Sequence, residues 1–303
     1  MKCALNLFAG LTVLGLVLLS ARAADAADKT FVSRDAEIDG VKLHYTTGGH
    51  GTPLILLHGH AETSRMWRPI LPVLAERFTV IAPDLPGIGD SAIPADGLDV
   101  KTAAIRIHAL ARSLGIENAK VVGHDIGLMV AYAYAAQFSA EVEKLVVMDA
   151  FLPGVGQWES VYNNPGLWHF RFSGPTPEAL VQGRERIYFE HFWNDFAADK
   201  TRSVPEADRK AYTAAYARPG RMRAGWAYFA AFPQTAANFA HLSQTKLTIP
   251  MLVIGGEKSL GAVLAEQAKA VASDVTVVLL KDTGHWVLEE RRKETTDALL
   301  NFL

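Results

Sequence analysis

Two glycines bracket one acid in Val121-Val122-Gly123-His124-Asp125-Ile126-Gly127, which runs on into Leu128-Met129-Val130-Ala131-Tyr132. That order predicts a buried strand, a sharp turn with Asp125 at its apex, and a helix. Gly123 and Gly127 lack side chains, so strand and helix can cross closely there. Serine is the commoner nucleophile on such a turn. A carboxylate in its place can attack an electrophilic carbon and leave an ester on the protein; the plain alternative is a turn aspartate bonded to its own backbone. Near the end of the chain, Thr283-Gly284-His285-Trp286 follows a strand-like run at 275–280 and supplies a candidate base, His285, whose plain alternative is a structural histidine before the last helix. Asp149 follows the apolar run 144–148, and Glu257 follows 251–255. Carboxylates at the C-terminal ends of parallel strands face one shared crevice.

The elements that must position these groups are legible in order. Phe31-Val32-Ser33-Arg34 and Val41-Lys42-Leu43-His44-Tyr45 flank an Asp39-Gly40 turn and read as an antiparallel edge pair. Leu54-Ile55-Leu56-Leu57 is wholly apolar, as a central parallel strand should be, and runs into His58-Gly59-His60. Val80-Ile81-Ala82-Pro83 leads to a Pro- and Gly-rich loop at 84–91, which lacks the Lys-Ser/Thr spacing of a phosphate loop. A helix is expected over 100–114, closed by Gly115. Residues 155–236 break the strand–helix rhythm and are crowded with aromatic residues, which predicts an inserted helical domain over an apolar pocket. A strand at 249–254, a helix at 260–271, the strand at 275–280 and an amphipathic helix from about 291 to 302 complete the pattern. No internal repeat is present.

As a set, these motifs resemble the α/β-hydrolase superfamily over roughly residues 30–303, in the epoxide hydrolase-like and haloalkane dehalogenase-like branch that carries an aspartate nucleophile. The resemblance implies an α/β-hydrolase fold: a mostly parallel central sheet with helices on both faces and an inserted helical lid. It divides the chain into a core at 24–154 and 237–303 and a lid at 155–236. It implies Asp125 as nucleophile, His285 as the base that activates water, and Asp149 as the orienting acid. Many members carry that acid after the later strand, where Ser259 stands in this chain; a subset carries it where Asp149 stands, and Glu257 is the alternative. The backbone N–H groups of His60 and Ile126 would form the oxyanion hole, although Ala61 stands where relatives commonly have proline.

One epoxide hydrolase subgroup pairs a lid histidine with a lid tyrosine. Leu167-Trp168-His169-Phe170-Arg171-Phe172 resembles its histidine segment, which gives His169, and Gly225-Trp226-Ala227-Tyr228-Phe229 resembles its tyrosine segment, which gives Tyr228, or Phe229 if the register moves by one. Trp168, Phe170, Phe229 and Trp286 are the expected pocket residues. The implied reaction opens a small epoxide to a vicinal diol. Dehalogenation of a haloalkane or haloacid by the same ester is the alternative. Haloalkane dehalogenase-like enzymes often carry tryptophan where Ile126 stands, and fluoroacetate dehalogenase-like enzymes carry arginines where Ile126 and Met129 stand, yet His169 also matches the halide-contacting histidine of the latter, and Trp168 could donate to a halide. A catalytically silent binding protein on this fold is a third reading; it predicts a broken set of catalytic groups, and none of the three is missing.

The chain has 303 residues, half of them hydrophobic, and a net charge of −2. That balance lacks the concentrated basic surface a nucleic-acid partner requires. Met1-Lys2 opens an apolar run over 4–19, and Ala21 and Ala23 fit the small-residue rule for a signal peptide at 1–23. The expected location is therefore periplasmic or secreted, in a bacterium, with no stable membrane anchor after cleavage. The single cysteine, Cys3, lies inside that leader. The expected partners are a small-molecule substrate and water, with no metal and no cofactor; a homodimer is compatible with the sequence.

Overall fold

The apolar runs that read as central strands lie side by side in one eight-stranded sheet of order β1-β2-β4-β3-β5-β6-β7-β8. The computed structural model describes residues 31–303, so the leader at 1–23 lies outside the described residues. β1 (Phe31–Ile38) and β2 (Val41–Gly49) form the antiparallel edge, joined by Asp39 at φ 51 and Gly40 at φ 74, the left-handed pair that a two-residue hairpin needs. β2 pairs antiparallel with β4 (Phe78–Pro83). From there the sheet is parallel through β3 (Thr52–Leu57), β5 (Ala119–His124), β6 (Val142–Met148), β7 (Met251–Gly256) and β8 (Val275–Leu280).

Alternation explains why these strands are apolar throughout. Ile55, Leu57, Val121, Leu145, Val147 and Val253 point into the core on one face of the sheet. Their neighbours Leu54, Leu56, Val122, Val146, Met148 and Leu252 fill the core on the other. Both faces are covered, so neither set can be polar. α1 (Val100–Ser113) and α2 (Ile126–Gln137) pack on the first face, while the closing helix α3 (Arg292–Phe302) packs Leu299 into the second. α2 is buried around nearly its whole circumference, which accounts for its lack of a polar stripe.

Between β6 and β7 the chain is helical, from a short turn at Trp158–Tyr162 to the helix Phe232–Leu242. The helix Phe232–Leu242 runs past the expected boundary at 236 because Phe239 packs edge-on to Tyr132 of α2, 4.9 Å between centroids. No helix of the described residues is long and apolar enough to cross a membrane.

Candidate active site

β5 ends at His124, and the chain then turns on Asp125, whose φ of 51 and ψ of −123 are strained for an L-residue. The turn is tight because its glycines permit it: a Cβ on Gly123 would collide with the Gly127 carbonyl, and one on Gly127 with the carbonyl oxygens of Leu57 and His58. Asp125 thereby stands at the N-terminus of α2, where the helix dipole favours an anion. Its Oδ2 accepts the His60 N–H at 2.7 Å. Ile126 opens α2, so its N–H belongs to the amides a helix leaves unpaired. Ala61, next in that loop, sits at φ 61, an angle proline's ring forbids. The departure from the commoner sequence therefore carries a different backbone path.

His285 donates from Nδ1 to Asp149 Oδ1 at 3.0 Å. Asp149 is fully buried and also accepts from the Gly256 N–H and from Ser259 Oγ, each at 2.6 Å. The serine at the commoner acid position thus binds the acid from the preceding strand. Glu257 is directed elsewhere: it is exposed, accepts the Asp282 N–H at 3.1 Å and lies 3.8 Å from Lys258.

A cavity of about 390 Å³ opens above Asp125 and His285. Phe170, Phe229 and Trp286 line it as expected, together with Phe151, Phe192 and Phe196, which sequence reasoning did not single out. The rings of His60 and His169 also line it. Burial holds His60 down to about 4 and His169 to about 2, so both are neutral near pH 7. Neither ring nitrogen of His60 has a hydrogen-bond partner, nor does Nδ1 of His169. Phe229 lies between them, 4.7 Å from His60 and 5.2 Å from His169 between centroids.

Two expected residues stand away from the cavity. Tyr228 is fully buried, and its hydroxyl donates to the Pro86 carbonyl at 2.9 Å. One residue further along the helix Arg221–Ala230, Phe229 takes the cavity position, because a helical step turns the side chain by about 100°. The lid phenol expected from Tyr228 is therefore absent at that place. Trp168 is 38% exposed and packs against Phe172 and His191, while its neighbour His169 turns inward. An indole contact with substrate is corrected accordingly.

The structure also brings in residues that no motif flagged. Glu62 is buried against His124, with His124 Nδ1 donating to its Oε2 at 3.1 Å. Glu290 accepts from the Gly284, Ala198 and Asp199 N–H groups, and the His285 N–H donates to the Phe196 carbonyl at 2.8 Å, which fastens the histidine loop to the helical segment. Only their proximity to Asp125 and His285 in the sequence marks His124 and Glu290. His58 is structural: Nδ1 donates to the Gly59 carbonyl and Nε2 accepts from the Leu85 N–H. Among the described residues, His44, Asp84 and Asp90 bring ligand-type atoms within 4.8 Å, but those side chains already engage Asp35, the Ser64 and Asp90 amides, and Arg218.

The comparisons agree with this geometry at the level of family. Residues 52–292 match the model of the alpha/beta hydrolase fold family. A soluble epoxide hydrolase from Corynebacterium is 34% identical, over 88% of this chain and 95% of that protein. A fluoroacetate dehalogenase from Burkholderia is 31% identical, over 53% of this chain and 56% of its own length. The Cif epoxide hydrolase structure from Acinetobacter nosocomialis superposes over the whole of both chains with a TM-score of 0.82 at 26% identity. A parallel sheet with its polar groups gathered at the strand ends, together with this degree of likeness, makes the chain a hydrolase of the α/β-hydrolase family, with epoxide hydrolases and dehalogenases among its relatives.

Proposed function

We propose that this hydrolase opens small, neutral, mostly apolar epoxides to vicinal diols through an ester on Asp125. The observation that carries the reading is the pairing, in one apolar cavity, of a carboxylate on a strained turn with an imidazole held by a buried acid. Asp125 Oδ2 already accepts the His60 N–H, so Oδ1 is the attacking atom and Oδ2 becomes the ester carbonyl oxygen. As the Oδ1–carbon bond forms, the carbon–oxygen bond of the ring breaks and its electron pair goes to the oxygen. The neutral imidazoles of His169 and His60 hydrogen-bond that oxygen, which takes its proton from solvent. Water then attacks the ester carbonyl while His285 accepts its proton and Asp149 supports the imidazolium. The Cγ–Oδ1 bond of Asp125 is then cleaved, the diol leaves carrying Oδ1 and the proton held by His285, and the carboxyl group rebuilt with the water's oxygen returns its proton to solvent.

Two observations favour an epoxide over a haloacid. Ile126 and Met129 are buried and apolar, and no arginine appears among the described residues that line the cavity; Lys258 is exposed at its edge. Resemblance to a soluble epoxide hydrolase along nearly its full length points the same way. The imidazole N–H groups could equally receive a departing halide, which keeps dehalogenation as the second reading.

The test reacts the mature protein and an H285Q variant with styrene oxide, then with fluoroacetate and a short bromoalkane, and follows intact mass and product. Diol from the parent and an epoxide adduct on H285Q at Asp125 is the expected result. Halide release with a halocarbon adduct moves the assignment to dehalogenase, and silence on all three removes the substrate class. Export after cleavage near Ala23 belongs to the same proposal; the N-terminal mass of protein recovered from the periplasm or medium checks it.

A further inference from the structure

Beneath the cavity lies a second pair of charged groups that the reaction as derived does not use. Both nitrogens of the His124 ring face acceptors: Nδ1 faces Glu62 Oε2 at 3.1 Å, and Nε2 faces the main-chain carbonyl of His285 at 3.0 Å. A ring that donates at both nitrogens is an imidazolium. It is 1% exposed, and Glu62 is fully buried. The ring centroids of His124 and His285 stand 4.7 Å apart. Gly59 brings the two carboxylates together, since a Cβ there would lie 3.1 Å from Asp125 Oδ2 and 3.2 Å from Glu62 Oε2.

Resting on the ester reaction proposed above, we infer that Glu62 and His124 form a positioning pair for its water-activating half. The pair fixes the His285 main chain through its carbonyl and sets a permanent positive charge against one side of the His285 ring. The His285 ring is thereby flanked by a cation on one side and by Asp149 on the other, and Asp149 receives the positive charge that develops as the ring takes a proton from water. Glu62 and His124 touch neither substrate nor the reacting atoms; they act through His285.

The surroundings make Glu62 the determinant of that charge. Burial alone would strip the proton from His124; Glu62, with help from Asp125 and Glu289, outweighs it and brings the ring up to about 9. Glu289, packed nearby on the C-terminal side, is itself raised to about 8 by burial and by Glu62, and its pull on His124 is the smallest of these. The titratable groups around the His285 ring are Asp149, His124, the Asp125 carboxylate until it is esterified and, across the cavity, His60 and His169, both neutral.

The experiment combines E62Q and E62D with single-turnover mass spectrometry on styrene oxide and nitrogen NMR of the histidine rings in the full chain. In the parent, the ring of His124 carries two N–H groups from pH 6 to 8; in E62Q it becomes neutral. Ester formation in E62Q stays within about twofold of the parent. Ester hydrolysis slows roughly tenfold at pH 6 and less at pH 8.5, where His124 of the parent itself begins to lose its proton, so ester accumulates on the acid side. E62D, which keeps the charge, restores hydrolysis. A structural role alone would lower stability without separating the two steps or tilting the pH profile. A neutral His124 in the parent overturns the inference even where E62Q fails to fold. Equal slowing of both steps, or none, in a parent that turns over also overturns it, and a parent that forms no ester removes the functional reading and the pair's role together.

Discussion

Around the catalytic groups the floor and the roof of the cavity treat their polar atoms in opposite ways, although Glu62 Oε1, deeper down, also lacks a partner. On the floor, Asp149 has three hydrogen-bond donors, His285 is held through Nδ1, and His124 is engaged at both nitrogens. On the roof side, His60 leaves both ring nitrogens without partners and His169 leaves one, amid the rings of Phe192 and Phe229. Unsatisfied buried polar groups cost stability, of order 1–3 kcal/mol each. A fold that accepts this cost at the cavity wall, yet completes every bond around Asp149, has preorganised one half of the site and left the other half for a ligand to complete.

Breaking the floor should have the largest effect. D149N removes the charge that holds the His285 ring and turns an acceptor of three donors into a mismatched amide. Ester hydrolysis should fall by about 10⁴-fold, the scale seen when an orienting acid is amidated, while ester formation on Asp125 continues. Stopped-flow with mass detection separates the two; equal loss of both steps would mean that Asp149 serves the fold rather than the base.

The roof predicts an acid-side instability. His60 is held down to about 4 in the folded chain, against about 6.5 when unfolded. Between those values the unfolded chain takes a proton that the folded chain refuses. Its contribution is therefore complete above pH 6.5 and is lost as pH falls toward 4, by roughly 3 kcal/mol. His169, held at about 2, extends the loss further down. The Glu62–His124 pair works in the other direction: its contribution is complete below pH 6.5 and is lost as pH rises through about 9. Urea unfolding at intervals from pH 4 to 9.5 should trace a maximum between the two, and a flat curve would contradict both environments.

H60F tests whether the unpartnered imidazole is a cost accepted for function. Phenylalanine keeps the main-chain N–H on Asp125 and the aromatic packing but removes two unpartnered nitrogens. The variant should gain about 1 kcal/mol at pH 7, lose part of the acid-side slope, and form ester roughly tenfold more slowly. A stabilised variant with unchanged ester formation would mean that His169 alone meets the leaving oxygen.

Much of this floor was legible in the sequence, and the reason is local. The apolar runs of β3, β5, β6 and β7 announce a doubly covered sheet, and the acids that follow β5 and β6 land on the crevice. Asp125 and Asp149 follow from that rule, and His285 stands on the loop after β8 at the same end of the sheet. The Glu62–His124 pair does not, since its members are 62 residues apart and meet only because β3 and β5 are neighbours, with Leu57 paired to Gly123. The roof was less legible still. Its residues sit on helices and short turns, where one step of register exchanges core for cavity, as with Tyr228 and Phe229 or Trp168 and His169.

The smallest predicted effect exploits that single step. Tyr228 donates to the Pro86 carbonyl away from the cavity, so Y228F should lose about 1 kcal/mol of stability and keep turnover within about twofold. F229Y, one position on, places a phenol between His60 and His169, where it can donate to the oxygen released from carbon. Ester formation should rise severalfold without a change in ester hydrolysis, because only the first step releases that oxygen. The two variants exchange the same hydroxyl for hydrogen in opposite directions at adjacent residues. Should Y228F lose turnover and F229Y gain nothing, the lid helix sits one residue out of register in the working enzyme, and the contrast between a finished floor and an unfinished roof has to be redrawn around Tyr228.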